Sequence, residues 1–210
     1  MHLKGRIDHA TGTWAPGNGP KKTPLQWVQD LFAIHPEYDG VRVACETGTF
    51  RGDGPLWFAE FFTRFYSVEL NPGLYRLALQ RCDQSPSRSR MWLECGDSAN
   101  VVPTWCDLIG QPVLWLLDAH WCKWTKDGEP APEPGTASPL WAELAAIRER
   151  PYADIVLVDD AANFGQAIKG ADWQAVTFAS VAEALGRVVD KREYQNSGVF
   201  WREAIDLSQA

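Results

Sequence analysis

The chain has little of what several protein classes require. No apolar run approaches the roughly 20 residues that cross a bilayer, so no membrane-spanning helix is expected. The five cysteines are odd in number and include no Cys-x-x-Cys pair, which argues against a disulfide frame or a zinc site and for reduced thiols. Basic residues are in the minority: 20 Lys and Arg against 27 Asp and Glu leave a formal charge of −7. A general nucleic-acid binder needs a basic surface to neutralise phosphates, so no nucleic-acid partner is expected. Only "PKK" and "SPSRSRM" are locally basic, and solvated loops account for both. The opening "MHLKGRIDHATGTW" lacks the apolar centre of a signal peptide, which makes a cytoplasmic location the expectation. There is no internal repeat.

What remains fits a single globular unit. A chain of 210 residues can bury a substantial core, and 45% apolar with 22% charged residues is ordinary composition. Eleven tryptophans are unusual. Trp92 and Trp115 lie in apolar runs and read as core, whereas Trp14, Trp121 and Trp124 lie in loops where they could line a ligand site.

Residues 1–22, rich in Gly, Pro and charge, read as an arm or lid without regular structure, ahead of one domain over 23–210. Thr23 and Pro24 open a helix whose apolar residues Leu25, Val28, Leu31 and Phe32 recur at helical spacing, and His35-Pro36 ends it. Strands and helices then alternate: "GVRVACETG", "GPLWFAEFFTRF", "FYSVEL", "NPGLYRLALQRCDQ", "SRMWLECGDS", "SANVVPTWCDLIG", "QPVLWLLDAHW", "LWAELAAIRER", "ADIVLVDDAANF" and "SVAEALG". Such alternation predicts a mostly parallel sheet covered on both faces. The tail "RVVDKREYQNSGVFWREAI" reads as two strands around an Asn-Ser-Gly turn, placing an antiparallel strand at one edge. Between Cys122 and Pro139 runs a loop too long for a plain connection, which reads as a lid.

Ligands of open α/β sheets sit outside the carboxyl ends of the strands. Each predicted parallel strand ends in an acid: Glu46, Glu69, Asp97, Asp118 and the pair Asp159-Asp160. One acid at one strand end is commonly a helix cap. Five in succession repel one another unless cations, hydroxyls or amines come to them. The loop "ETGTFRG" places glycines at 48 and 52 without the Gly-x-Gly-x-x-Gly spacing of a dinucleotide fingerprint. Glu46, immediately before that turn, would oppose a pyrophosphate and suit an ammonium group. Glu69 is placed to accept from ribose hydroxyls.

Together "ETGTFRG", "VELN", "GDS" and "LLDAHW" resemble, in order and spacing, successive motifs of the class I S-adenosylmethionine-dependent methyltransferases. The terminal hairpin resembles the reversed seventh strand of their fold. The resemblance covers roughly residues 23 to 203. It implies a Rossmann-like three-layer sandwich with a mostly parallel seven-stranded sheet and an antiparallel C-terminal hairpin strand. It also implies that Glu46, Gly48 and Gly52 hold the methionine portion, with Thr47 and Thr49 adding contacts. Glu69 would hold the ribose hydroxyls, and Asp97 with Ser98 would face the adenine.

A hydroxyl acceptor must lose its proton, and a divalent cation can lower the pKa of a bound hydroxyl. Magnesium suits oxygen-rich sites with few carboxylates. "LLDAHW" followed by "VLVDDAANF" resembles the metal-dependent O-methyltransferases, both catechol-type and macrolide-sugar-type. That likeness implies Asp118, Asp159 and Asp160 as Mg2+ ligands, with Asn163 a fourth candidate. The catechol enzymes continue Asp-His-Trp-Lys, whereas here Ala119 intervenes and Cys122 precedes Lys123, so the general base stays open. His120 and Asp118 are the catalytic candidates. The expected reaction is methylation of a small-molecule hydroxyl, on a sugar or an aromatic ring, under a lid carrying Trp124. Two alternatives stay open: a non-catalytic S-adenosylmethionine-binding module, and a metal-dependent hydrolase using Asp118, His120 and the Asp pair.

Overall fold

A computed structural model describes residues 6–8, 13–15, 24–119, 138–167, 173–194 and 196–206. Its centre is a seven-stranded sheet made of β3 (Val43–Thr47), β4 (Arg64–Glu69), β5 (Met91–Cys95), β6 (Val113–Leu117), β7 (Ile155–Val158), β8 (Val188–Tyr194) and β9 (Ser197–Arg202), in the order β5-β4-β3-β6-β7-β9-β8. The five strands from β5 to β7 are mutually parallel, and β9 is antiparallel to both of its neighbours. The reversed strand is therefore internal. The helix before β8 carries the chain past the neighbouring position to the sheet's edge, and the hairpin return fills the gap. The N-terminal arm is not wholly irregular either: β1 (Arg6–Asp8) pairs antiparallel with β2 (Thr13–Ala15).

Alternate residues of each strand feed two cores, as the pleat requires. Cys45, Trp115, Val156 and Phe200 pack with α4 (Ser98–Leu108), α5 (Leu140–Glu149) and α6 (Phe178–Leu185). Ala44, Leu114, Leu157 and Trp201 pack on the other face with α1 (Pro24–Ile34) and α3 (Pro72–Cys82). Asn71 caps α3 by accepting from the Gly73 and Leu74 N–H groups, with Pro72 in the first turn. Trp115 is fully buried as expected. Trp92 is 58% exposed, because β5 is an edge strand and this residue, opposite Tyr66, sits at the margin of the face that α4 covers. No helix among the described residues is long and apolar enough to cross a membrane.

The end of the sheet where the parallel strands begin is tied by one buried carboxylate. Asp154, just before β7, accepts from Arg150 Nε at 2.9 Å, from Arg202 Nη1 at 3.3 Å and from the Val113 N–H at 2.9 Å. All three charged side chains are buried. Arg150 also donates to the Cys106, Ile109 and Gln111 carbonyls around the end of α4, and Arg202 donates to the Ile147 and Arg148 carbonyls at the end of α5. The second positive charge therefore meets carbonyls at helix C-termini, where a cation is favoured. Burial raises the Asp154 pKa, while the two guanidinium groups and the Val113 N–H pull it back.

Removing one member of a buried ion cluster strands the others. Asp154→Ala is expected to cost about 3–5 kcal/mol, read from urea unfolding. A loss under about 1 kcal/mol, the worth of an exposed pair, would show that the carbonyls alone suffice.

Candidate active site

At the opposite end of the sheet, β3 runs into the turn Gly48–Gly52 and then α2 (Asp53–Phe58). Gly48 and Gly52 both have φ of +83°, the left-handed region that favours glycine. A side chain on Gly48 would also stand 2.7 Å from the Asp118 carbonyl, and one on Gly52 would press on Ala78 of α3 at 3.1 Å. Phe50 takes a positive φ as well, and its N–H donates to Glu69 Oε2 at 2.7 Å. Asp53 pairs with Arg81 at 2.8 Å, fastening the start of α2 to α3.

Glu46 lies beneath this turn. Its carboxyl rests on Gly54, where any Cβ would stand 1.7 Å from Oε1. The Ser67 hydroxyl donates to Oε2 at 2.5 Å, and Thr49 Oγ1 lies 2.6 Å from the same hydroxyl. Part of the residue reaches the surface, yet the carboxyl is enclosed. Burial pushes its pKa up to about 8, helped by the charges of Asp118, Asp53 and Glu69 and opposed by Ser67. No cationic group is among these influences. Thr47 and Thr49 are both buried, and the Thr49 hydroxyl is engaged by that of Ser67.

Glu69 ends β4, and each of its oxygens already holds a backbone N–H: Oε2 that of Phe50, and Oε1 that of Asn71 at 2.9 Å. The carboxylate is thus fixed in orientation, and each oxygen has a second lone pair for another donor. Burial raises its pKa, and those N–H groups oppose the shift. Asp97 is exposed and caps α4, accepting from Ala99 N at 3.0 Å, so the cap expected of a lone strand-end acid is realised there. Ser98 is buried beside Glu143 of α5. Sequence reasoning missed Glu143. The available signal was an acid within the apolar stripe Leu140, Leu144 and Ile147.

The three proposed magnesium ligands do not form one constellation. Asp159 accepts from the Ser197 hydroxyl at 3.0 Å, and its pKa is raised by burial and then by the charges of Asp118 and Asp160. Asp118 and Asp159 therefore form an electrostatic pair. Asp160 adopts a left-handed φ of +57°, and its oxygens take the side-chain amides of Asn196 and Asn163, both at 3.2 Å. That engagement with the hairpin turn turns it aside, and it occupies Asn163 as well. Among the described residues no group of three or more His, Cys, Asp or Glu side chains is placed to hold a metal ion. The donor set does not fit the expected magnesium site. His120, Trp121, Trp124 and nearly all of the expected lid lie outside the described residues, as does the side chain of Trp14.

No family model and no curated protein matches the chain. Solved structures do. A protein from Clostridium thermocellum designated an rRNA methylase superposes with a TM-score of 0.55 at 12% identity, over 88% of this chain and 98% of its own. The O-methyltransferase TomG of Streptomyces achromogenes, solved with S-adenosylmethionine, superposes with a TM-score of 0.53 at 16% identity, over 83% of this chain and 78% of its own. The fold is the Rossmann-like methyltransferase fold. In this fold the acids Glu46, Glu69, Asp118 and Asp159 all stand at the carboxyl ends of the parallel strands, with the Gly48–Gly52 turn among them.

A carboxyl whose pKa rises on folding ionises first in the unfolded chain, so stability falls as pH climbs from the unfolded to the folded value. For Glu46 that window runs from 4.5 to about 8. Glu46→Gln is expected to match the wild type near pH 4.5 and to melt at a higher temperature near pH 8. A melting difference that stays constant across that range would show that Glu46 titrates normally.

Proposed function

We propose that the protein is an S-adenosylmethionine-dependent methyltransferase acting on a small-molecule hydroxyl. The carrying observation is Glu46, a carboxyl enclosed beneath a glycine turn whose largest electrostatic influences among the described residues include no cation, at the carboxyl end of the parallel strands of a methyltransferase fold. The ammonium of an amino-acid-bearing ligand supplies the missing positive charge. Glu69, oriented by two backbone N–H groups, accepts from the ribose diol. Asp97, exposed at the start of α4, borders the base. The Gly48 and Gly52 backbone approaches the ligand where a side chain would collide with Asp118 or Ala78.

When bound, the cofactor supplies an electrophilic methyl group on a sulfonium. An acceptor hydroxyl that took this methyl would have to give up its proton, with the sulfonium sulfur keeping the bonding pair. Asp118, the exposed member of the Asp118–Asp159 pair, is the base, because it stands at the carboxyl end of β6 where an acceptor hydroxyl can reach it. His120 is a second candidate for the same proton. Alignment of acceptor with methyl supplies much of the remaining acceleration. No step is assigned to a metal, since Asp160 is engaged elsewhere. An acid-lined crevice in a chain of charge −7 disfavours an RNA acceptor and suits a neutral sugar or aromatic hydroxyl.

Calorimetry with S-adenosylhomocysteine is expected to saturate, and Glu69→Ala to weaken binding by about 1–3 kcal/mol through lost charge-assisted hydrogen bonds. Because Glu46 is mostly protonated at pH 7 and must ionise to hold an ammonium, binding is expected to release protons. The heat should then change with the ionisation enthalpy of the buffer. Absence of saturation ends the reading.

In an acceptor panel followed by mass spectrometry, Asp118→Asn should lower turnover strongly while sparing cofactor affinity. Turnover should survive excess chelator. Turnover abolished by chelator and restored by magnesium would return a cation to the mechanism.

A further inference from the structure

Asn196 immediately precedes β9, and because β9 runs antiparallel to β7 its start lies at the carboxyl rim of the sheet. The strand register continues to that rim. Leu117 pairs with Val158, and Val158 with Gly198, so Asp118, Asp159 and Ser197 come next in one row. The Asp159 N–H donates to the Leu117 carbonyl at 3.0 Å, which carries the ladder one step further. Within the row the Ser197 hydroxyl donates to Asp159 Oδ1 at 3.0 Å. Adjacent residues of the hairpin thus take adjacent acids: Ser197 takes Asp159, and Asn196 Nδ2 donates to Asp160 Oδ1 at 3.2 Å.

Asn196 does more than hold Asp160. A short helical turn, Ala161–Asn163, begins just after Asp160, and an Asp in that place ordinarily caps the turn with its own side chain. Asp160 does not. Its backbone is left-handed, and its Oδ2 accepts instead from Asn163 Nδ2 at 3.2 Å. The cap comes from across the hairpin: the Asn196 carbonyl accepts from the Ala161 N–H at 2.6 Å, and its Oδ1 accepts from the Ala162 N–H at 3.0 Å. Both polar atoms of the Asn196 side chain and its backbone oxygen are therefore engaged by one loop. Asn196 is itself left-handed, with φ of +70°. Left-handed residues other than glycine are strained, and they persist where the surroundings over-determine them.

We propose that Asn196 is a positioning residue for the acceptor side of the crevice: it caps the turn after β7 and holds Asp160 out of the strand-end row, leaving Asp118 with Asp159 at the reacting end. The inference rests on the reading of Asp118 as the base of a methyl transfer. Asn196 acts through the turn and through Asp160, at the β7–β9 side of the sheet. Glu46 and Glu69 stand on β3 and β4, on the other side of β6. Loss of Asn196 therefore falls on turnover and spares the cofactor.

Two substitutions test this. Asn196→Gly removes both side-chain contacts and tolerates the left-handed backbone. Asn196→Asp keeps an oxygen for the Ala162 N–H but sets a carboxylate where Asp160 meets an amide. Three amides report on the turn without bonding to Asn196 themselves: those of Asn163, Phe164 and Gln166 donate to the Asp160, Ala161 and Asn163 carbonyls. In both variants these amides are expected to exchange about tenfold faster or more, the worth of about one hydrogen bond, while the amides of β7 keep their rates. Calorimetry should find S-adenosylhomocysteine affinity within about twofold of the wild type. Turnover of the acceptor that the wild type methylates best should fall about tenfold or more. If Asn196→Gly does not fold, Asn196→Asp is read by the same measurements. Unchanged exchange at residues 163–166 overturns the proposal, as does turnover at the wild-type level. Faster exchange spread evenly through β7 and β9 also overturns it, because that is the mark of a general packing role. A wild-type protein that fails to bind S-adenosylhomocysteine overturns the functional reading instead, and the exchange result still decides whether Asn196 holds the turn.

Discussion

The buried cluster of Arg150, Asp154 and Arg202 is the constraint on which the remaining architecture rests. One carboxylate receives two guanidinium groups and the N–H that begins β6, while the spare donors close the carbonyl ends of α4 and α5. Arg202 lies on the reversed strand and Arg150 at the end of a helix, so the cluster joins segments far apart in the chain. Its geometry fixes how the C-terminal hairpin enters the sheet. Tyr38 extends the tie to the opposite face by donating to the Arg202 carbonyl at 2.8 Å.

The two ends of the sheet treat buried charge in opposite ways. Asp154 is surrounded by cations and donors. Glu46, Glu143 and Asp159 are held above the usual carboxylate range chiefly by burial, with other acids adding to the effect. Stability alone would not select such an arrangement, because each raised carboxyl favours the unfolded chain as pH rises. Strain concentrated on one rim, beside a left-handed glycine turn, is what a site awaiting cationic and hydroxyl-bearing ligands requires. The rim can carry it because the other end is closed.

Much of this was legible in the chain. Alternating apolar runs predicted the parallel sheet, Asn71-Pro72 announced the start of α3, and the strand-end acids Glu46, Glu69, Asp118 and Asp159 do stand at one rim of it. Other features were hidden. An acid at a strand end reads the same whether it caps a helix, as Asp97 does, or lies enclosed under a turn, as Glu46 does. Asp159 and Asp160 are adjacent in sequence, but a single left-handed residue sends their carboxylates to different partners, and the expected trio is lost. Trp92 and Trp115 sit in similar apolar runs, yet one strand is an edge and the other is central.

Periodicity and composition by themselves determined the layers, the sheet class and the end of the sheet where the acids gather. These follow from local backbone preference and from the need to bury apolar faces, both written in short stretches of sequence. Which carboxyls meet, which are satisfied and which are held protonated was decided only by tertiary structure. A pKa depends on what surrounds the group in space, and the neighbours of Glu46 and Glu143 come from Ser67, Asp118, Thr47 and Ser98, brought together only when the strands and helices pack.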